Sequence, residues 1–182
     1  TGYRQIPTAS LNTDAGQNTI AMFAPSKTFN VAGLSTSSVV IANPELRMKF
    51  QQYLNKLGLH TTNLFGIETF TAAYRDGAEW LEQLLEYIEG NYNFVRSYLE
   101  ENIHQIKAIE MEATYLMWLD CRGLQLSQPD LVDLFVNKAK IGLNDGTVFG
   151  AGGEGFMRMN IGCPRMLLET ALERIEAATT SL

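Results

Sequence analysis

Between Glu79 and Glu101, the residues Leu81, Leu84, Leu85, Ile88, Tyr92, Val95 and Leu99 recur every three or four positions. That spacing predicts one long amphipathic helix whose apolar stripe must find a partner surface. Gly90 within it costs about 1 kcal/mol relative to Ala without forbidding the helix. The chain has 182 residues, 46% hydrophobic and 19% charged, so there is material for a core to receive that stripe. This balance excludes a disordered or fibrous chain and fits one large domain or two small ones.

The segments on either side divide into two textures. Thr1 to Gln17 is polar and turn-rich. Thr19 to Ala24 (TIAMFA) reads as a buried strand stopped by Pro25, and Ser38 to Ala42 (SVVIA) as a second strand. Asn43, Pro44 and Glu45 supply a cap, a first-turn proline and a first-turn acid, predicting a helix to about Leu57 ended by Gly58. A second helix is expected over Asn63 to Arg75. After the long helix come shorter elements: a strand at Tyr115 to Asp120, a helix at Pro129 to Ile141 capped by Ser127, a strand at Phe156 to Ile161, and a last helix opened by Pro164. The class is α/β, with a boundary expected inside the long helix near Ile88.

Charge and cysteine content narrow the chemistry. A formal net charge of -6 speaks against nucleic acid or an anionic membrane as the main partner. Cys121 and Cys163 are too few for a disulfide framework, and reduced cytoplasmic thiols are the plain reading. His60 and His104 lie near no cysteine or carboxylate pair, so neither a metal site nor a Ser-His-Asp triad is expected. Gly150 to Gly155 matches GxGxxG, but an alternating strand follows where a dinucleotide site needs a helix. The six glycines between Gly142 and Gly155 fit either a flexible loop or a backbone passing close to a ligand.

Two side chains carry the stronger signals. Lys27 is a single cation within an apolar, small-residue stretch from Met22 to Leu34. A lone lysine is ordinarily a solvated surface charge, whereas a desolvated neutral amine is what a Schiff-base enzyme uses. In the strand from Phe156 to Ile161, Arg158 and Asn160 share one face while Met157, Met159 and Ile161 share the other. That is either an edge strand with a wet face or a guanidinium fork aimed at a carboxylate.

The segment Ala24 to Leu34 (APSKTFNVAGL) resembles the lysine segment of fold-type I pyridoxal-phosphate enzymes, in particular their MalY/PatB branch. Gly155 to Arg165 (GFMRMNIGCPR) resembles the C-terminal signature of the same branch. Ala72 to Tyr74, Gly77 to Leu81 and Thr114 to Asp120 are similar in type and spacing. The resemblance covers nearly the whole chain, but it is to the C-terminal half of such an enzyme. The Asp, Tyr and Asn that precede the lysine in the family have no counterparts here. It implies the C-terminal part of the pyridoxal-phosphate-dependent transferase fold, with residues 1–87 ending the large cofactor domain and 88–182 forming the small one.

The same resemblance implies roles. Lys27 would hold pyridoxal 5'-phosphate as an internal aldimine and then take the substrate α-proton. Ser26 would reach the cofactor phosphate, while Ser35 stands where some relatives carry a phosphate-binding arginine. Arg158 would clamp the substrate carboxylate, and Asn160 with the Gly146 to Gly155 loop would shape the small-domain wall. The implied activity is that of a carbon–sulfur β-lyase acting on cystathionine or cysteine-type amino acids. The alternatives are an aminotransferase and a regulatory module that kept the fold. A cytoplasmic homodimer is implied for the whole enzyme, and no catalysis for this half alone.

Overall fold

The computed structural model describes residues 2–59 and 63–182; His60 lies outside them. Two compact units, residues 2–84 and 85–182, divide within the long helix. Each is taken by itself.

In the first unit a 3₁₀ turn at Thr8–Ser10 and the short helix α1 (Asp14–Gln17) precede strand β1 (Ala21–Phe23). Helix α2 (Pro25–Thr28), strand β2 (Ser38–Val40), α3 (Pro44–Lys56) and α4 (Leu64–Asp76) follow, and then the first turns of α5 (Ala78–Asn102). Strands β1 and β2 pair antiparallel, with Ala21 opposite Val40 and Phe23 opposite Ser38. The expectation of a buried strand over Thr19 to Ala24 is corrected here. The strand is three residues long, and Met22 is 66% exposed because a two-stranded ribbon offers no second layer to that face.

Helix starts in this unit follow the sequence closely. The Asn43 side-chain oxygen accepts from the backbone N–H groups of Glu45 and Leu46 at 2.9 and 3.3 Å, with Pro44 at the first helical position. Two of the start's orphan donors are thereby satisfied. Asn63 does the same for Phe65 at 3.0 Å. Gly58, at φ +71°, turns the chain out of α3 in a conformation that side-chain-bearing residues disfavour.

The second unit is built on a four-stranded antiparallel sheet in the order β3 (Lys107–Ala108), β4 (Leu116–Asp120), β6 (Phe156–Asn160), β5 (Asn144–Asp145). Alternation along β4 and β6 buries Met117, Leu119, Met157 and Met159 and leaves Trp118, Phe156 and Arg158 half-buried on the opposite face. The core is completed by Val95 and Leu99 from α5, Leu131 from α6 (Gln128–Asp133), and Leu168, Leu172 and Ile175 from α7 (Arg165–Thr180).

The expected helix from Pro129 to Ile141 is also corrected. Its α-helical part is Gln128–Asp133, capped by Ser127, whose hydroxyl accepts from the Asp130 N–H. A wider π turn follows over Leu134–Lys138, closed by the Ala139 N–H donating to the Leu134 carbonyl at 2.8 Å. It keeps Leu134 and Phe135 in the core. Asn91 on α5 is fully buried and fixes the link between β6 and α7. Its Nδ2 donates to the carbonyls of Ile161 and Cys163 at 2.8 and 3.0 Å, and its Oδ1 accepts from Arg165 Nε at 2.8 Å.

Candidate functional site

The lysine turn is held by local chemistry. Pro25 starts α2 with its φ already helical, and the Phe29 N–H closes the turn on the Pro25 carbonyl at 2.8 Å. The Val31 N–H reaches back to Ser26 at 3.1 Å, with Asn30 in the left-handed region at φ +54° between them. Phe29 then anchors the segment: its ring stacks on Trp80 at 5.9 Å and meets Tyr74 edge-on at 5.5 Å. Gly77 makes this possible, since a Cβ there would stand 2.7 Å from the Phe29 ring. Out of this fixed turn Lys27 projects exposed, with Ser26 half-buried beside it. Among the described residues neither side chain has a hydrogen-bond or ion-pair partner. The desolvated setting considered for Lys27 is therefore not made by these residues. Ser35 is a turn residue at φ +47°.

The arginine lies in a more constructed place. Strand pairing sets Trp118 opposite Arg158 on one side and Asn144 opposite it on the other, so the three side chains form a row across the open face. Arg158 Nη2 donates to Asn144 Oδ1 at 3.0 Å, and the guanidinium carbon sits 4.4 Å from the centre of the Phe149 ring. Phe149 meets Trp118 edge-on at 5.6 Å, and Trp118 stacks on Phe156 at 5.7 Å. Arg158 Nε is buried and has no acceptor among the described residues. An unmet buried donor costs about 1–3 kcal/mol, so the site is suited to an incoming acceptor.

The loop that carries Phe149 is tight rather than loose. A Cβ on Gly153 would stand 1.9 Å from the Gly146 carbonyl oxygen, so the glycines permit one backbone to cross another. Asp145 caps the following 3₁₀ turn, accepting from the Thr147 N–H and hydroxyl, each at 2.8 Å. Those bonds, the backbone one first, hold its carboxyl below the ordinary value. Gln128 ties both loop ends, donating to Asp145 at 2.6 Å and accepting from the Gly155 N–H at 2.7 Å.

Asn160 is placed differently from Arg158. It is exposed, and its side-chain oxygen accepts from the Gly162 N–H at 2.9 Å, forming the turn out of β6. A concavity of about 610 Å³ elsewhere in the unit is lined by His104, Gln105, Lys107, Asp120, Arg122 and Gly123 and includes none of Lys27, Ser26, Arg158 and Asn160. Sequence reading missed Asn144, Phe149, Trp118 and Gln128. Asn144-Asp145-Gly146 is a turn signal that could have marked the loop's start, but cross-strand pairing leaves no local trace. Cys121 and Cys163 are free; burial pushes the Cys121 thiol up to about 12. No group of three metal-ligating side chains occurs among the described residues, and no helix among them is long and apolar enough to cross a membrane.

Comparison with known proteins supplies the class. No family model matches the chain. Cystathionine β-lyase PatB of Bacillus subtilis is 40% identical over 177 residues, 97% of this chain and 46% of that protein. Protein MalY of Escherichia coli K12 is 31% identical over 148 residues, 79% of this chain and 37% of that protein. The structure of cystalysin from Treponema denticola, which contains a pyridoxal 5'-phosphate cofactor, superposes with TM-score 0.94 at 31% identity, covering all of this chain and 46% of that one. The chain thus corresponds to the C-terminal part of a fold-type I pyridoxal-phosphate enzyme. Its homologues are the PatB/MalY-type cystathionine β-lyases, and it spans about half the length of those curated relatives.

Proposed function

We propose that the protein to which this chain corresponds is a pyridoxal-phosphate-dependent carbon–sulfur β-lyase acting on cystathionine or cysteine-type amino acids. One observation carries the reading: a guanidinium steadied from two sides whose buried Nε still lacks an acceptor. An amino-acid carboxylate meets that need by accepting from the fork.

The donor set near Lys27 fits the cofactor. A primary amine and an unpartnered hydroxyl stand next to each other on one fixed turn, suited to an aldehyde carbon and a phosphate oxygen. Lys27 would hold the group and Ser26 would donate to its phosphate. When bound, pyridoxal phosphate supplies an electron sink for charge developing at the substrate Cα. The protein's residues do the rest. Arg158 fixes the carboxylate and so orients the Cα–H bond. The Lys27 amine, once uncharged, takes the α-proton; desolvation favours that form, and the cover it needs comes from outside the described residues. With the cofactor bound, the electron pair left at Cα would expel the thiolate from Cβ, and addition of water would then release pyruvate and ammonia.

In this reading residues 1–87 complete the large cofactor domain and 88–182 form the small one. Asn160 shapes the wall beside Arg158. The protein works as a cytoplasmic homodimer, in keeping with two free thiols. A net charge of -6 favours small zwitterionic substrates over polyanions.

Borohydride treatment of the full-length, cofactor-loaded protein, followed by peptide mapping, should place the pyridoxyl label on Lys27. A label on Lys138 or Lys140 instead overturns the assignment. Incubation with cystathionine without any keto acid should release pyruvate continuously. Strict dependence on an added keto acid would move the protein to the aminotransferases, which use the same residues.

A further inference from the structure

We propose that Asn144 is a positioning residue that keeps the Arg158 guanidinium aligned without neutralising it, and so reserves its charge for a carboxylate ligand. The proposal rests on the reading of Arg158 as a carboxylate clamp. It assigns the selectivity of that clamp to the side chain across the strand.

The argument is a contrast between two arginines in the same unit. Arg122 and Arg158 each lie over a phenylalanine ring, Arg122 over Phe156 at 4.9 Å and Arg158 over Phe149 at 4.4 Å. Arg122 is closed off by a carboxylate: its Nε and Nη2 donate to the two oxygens of Asp120 at 2.9 and 2.7 Å. That fork-to-fork pairing pulls the Asp120 carboxyl below its ordinary range. Arg75 is closed off in the same way by Asp76. Arg158 instead meets a neutral amide at one nitrogen, and among the described residues no carboxylate pairs with it. An amide oxygen accepts from a guanidinium N–H as a carboxylate oxygen does, but it leaves the full positive charge.

The sequence places an acid immediately beside this position, and the fold turns it away. Asn144 and Asp145 are consecutive in β5, so their side chains leave opposite faces of the sheet. Asn144 pairs with Arg158 and Asp145 with Met157. The Asp145 carboxylate is further occupied by Thr147 and Gln128. A register slip of one residue would bring Asp145 across from Arg158 and close the fork from within. Gln128, holding both ends of the loop, opposes that slip.

The test uses the 182-residue chain without cofactor and reads the Arg158 side-chain Nε–Hε resonance by NMR during titration with sodium acetate. In the parent sequence this resonance should move saturably with acetate. Asn144→Ala removes the aligning acceptor and should weaken acetate several-fold. Asn144→Asp supplies an internal carboxylate and should weaken it more, by about tenfold or beyond for a competing charge-assisted pair. Its starting resonance should already lie near the acetate-bound position. Asn144→Glu, with the same charge on a longer arm, serves if the Asp variant fails to fold. An Asp or Glu variant that binds acetate as well as the Ala variant overturns the role of Asn144 and leaves the clamp standing. An Arg158 resonance unmoved by acetate in the parent sequence overturns the clamp itself, and this proposal with it.

Discussion

The two units solve the burial problem to very different degrees. Among the described residues, the apolar core draws only Ile41 from residues 2–84; its other side chains belong to residues 85–182. The first unit is not poor in apolar residues. Met22, Val40, Met48, Tyr53, Phe65 and Ile67 are all there, and all are exposed. What it lacks is a second layer, because its ribbon has two strands, whereas the four-stranded sheet of the second unit buries one face of its two central strands. The difference teaches how each candidate side chain is held. Lys27 depends on turn geometry and one aromatic anchor, while Arg158 depends on strand register within a packed unit.

Truncating the second unit's core should show the largest effect. Leu172 is fully buried, and Leu172→Ala should cost about 2–5 kcal/mol in chemical denaturation. Met48→Ala in the first unit, at an exposed position, should stay within about 0.5 kcal/mol. A large cost at Met48 would break the comparison by showing that the face around it is covered in solution.

Next is Asn91→Ala, which strips the acceptors of Ile161 and Cys163 of their buried donor. It should cost about 2–3 kcal/mol and raise amide exchange around residues 161–165. A loss below about 0.5 kcal/mol would mean the link between β6 and α7 is held by packing alone.

In the first unit the caps should matter more than any single exposed apolar side chain. Asn43→Ala removes the acceptor for two helix N–H groups and should lower stability by about 1 kcal/mol, read as faster amide exchange in α3. No change there would show that α3 is held by contacts other than its cap.

The smallest expected effect is electrostatic. Asp145 has a lowered carboxyl value in the folded chain, so its contribution is present above the ordinary carboxylate range and is lost as pH falls through the lowered value. Amide protection of Thr147 should therefore fall when the pH drops below about 4, and Asp145→Asn should remove that pH dependence. A profile unchanged by the substitution would assign the loop's order to its glycine crossing rather than to the cap.

Much of this molecule was legible in the sequence because local chemistry decides it. The caps at Asn43, Asn63 and Ser127 act within three residues of themselves, so helix starts can be read directly. The stripe of α5 and the alternation of β6 are likewise periodic signals, and they placed Arg158 on the open face. The lysine and arginine segments were recognisable through their resemblance to a known family. Tertiary structure alone decided the rest. Strands β3 and β5 are two residues long and exist only because a longer neighbour pairs with them. The exposure of β1 followed from how few strands joined it, which its own apolar residues could not report. The partners of Arg158 came from Asn144 and Phe149, brought beside it by register and by a loop that glycines allow to close. Capping and periodicity are short-range and recorded in neighbouring residues, whereas register is a choice among distant pairings that only the assembled sheet makes.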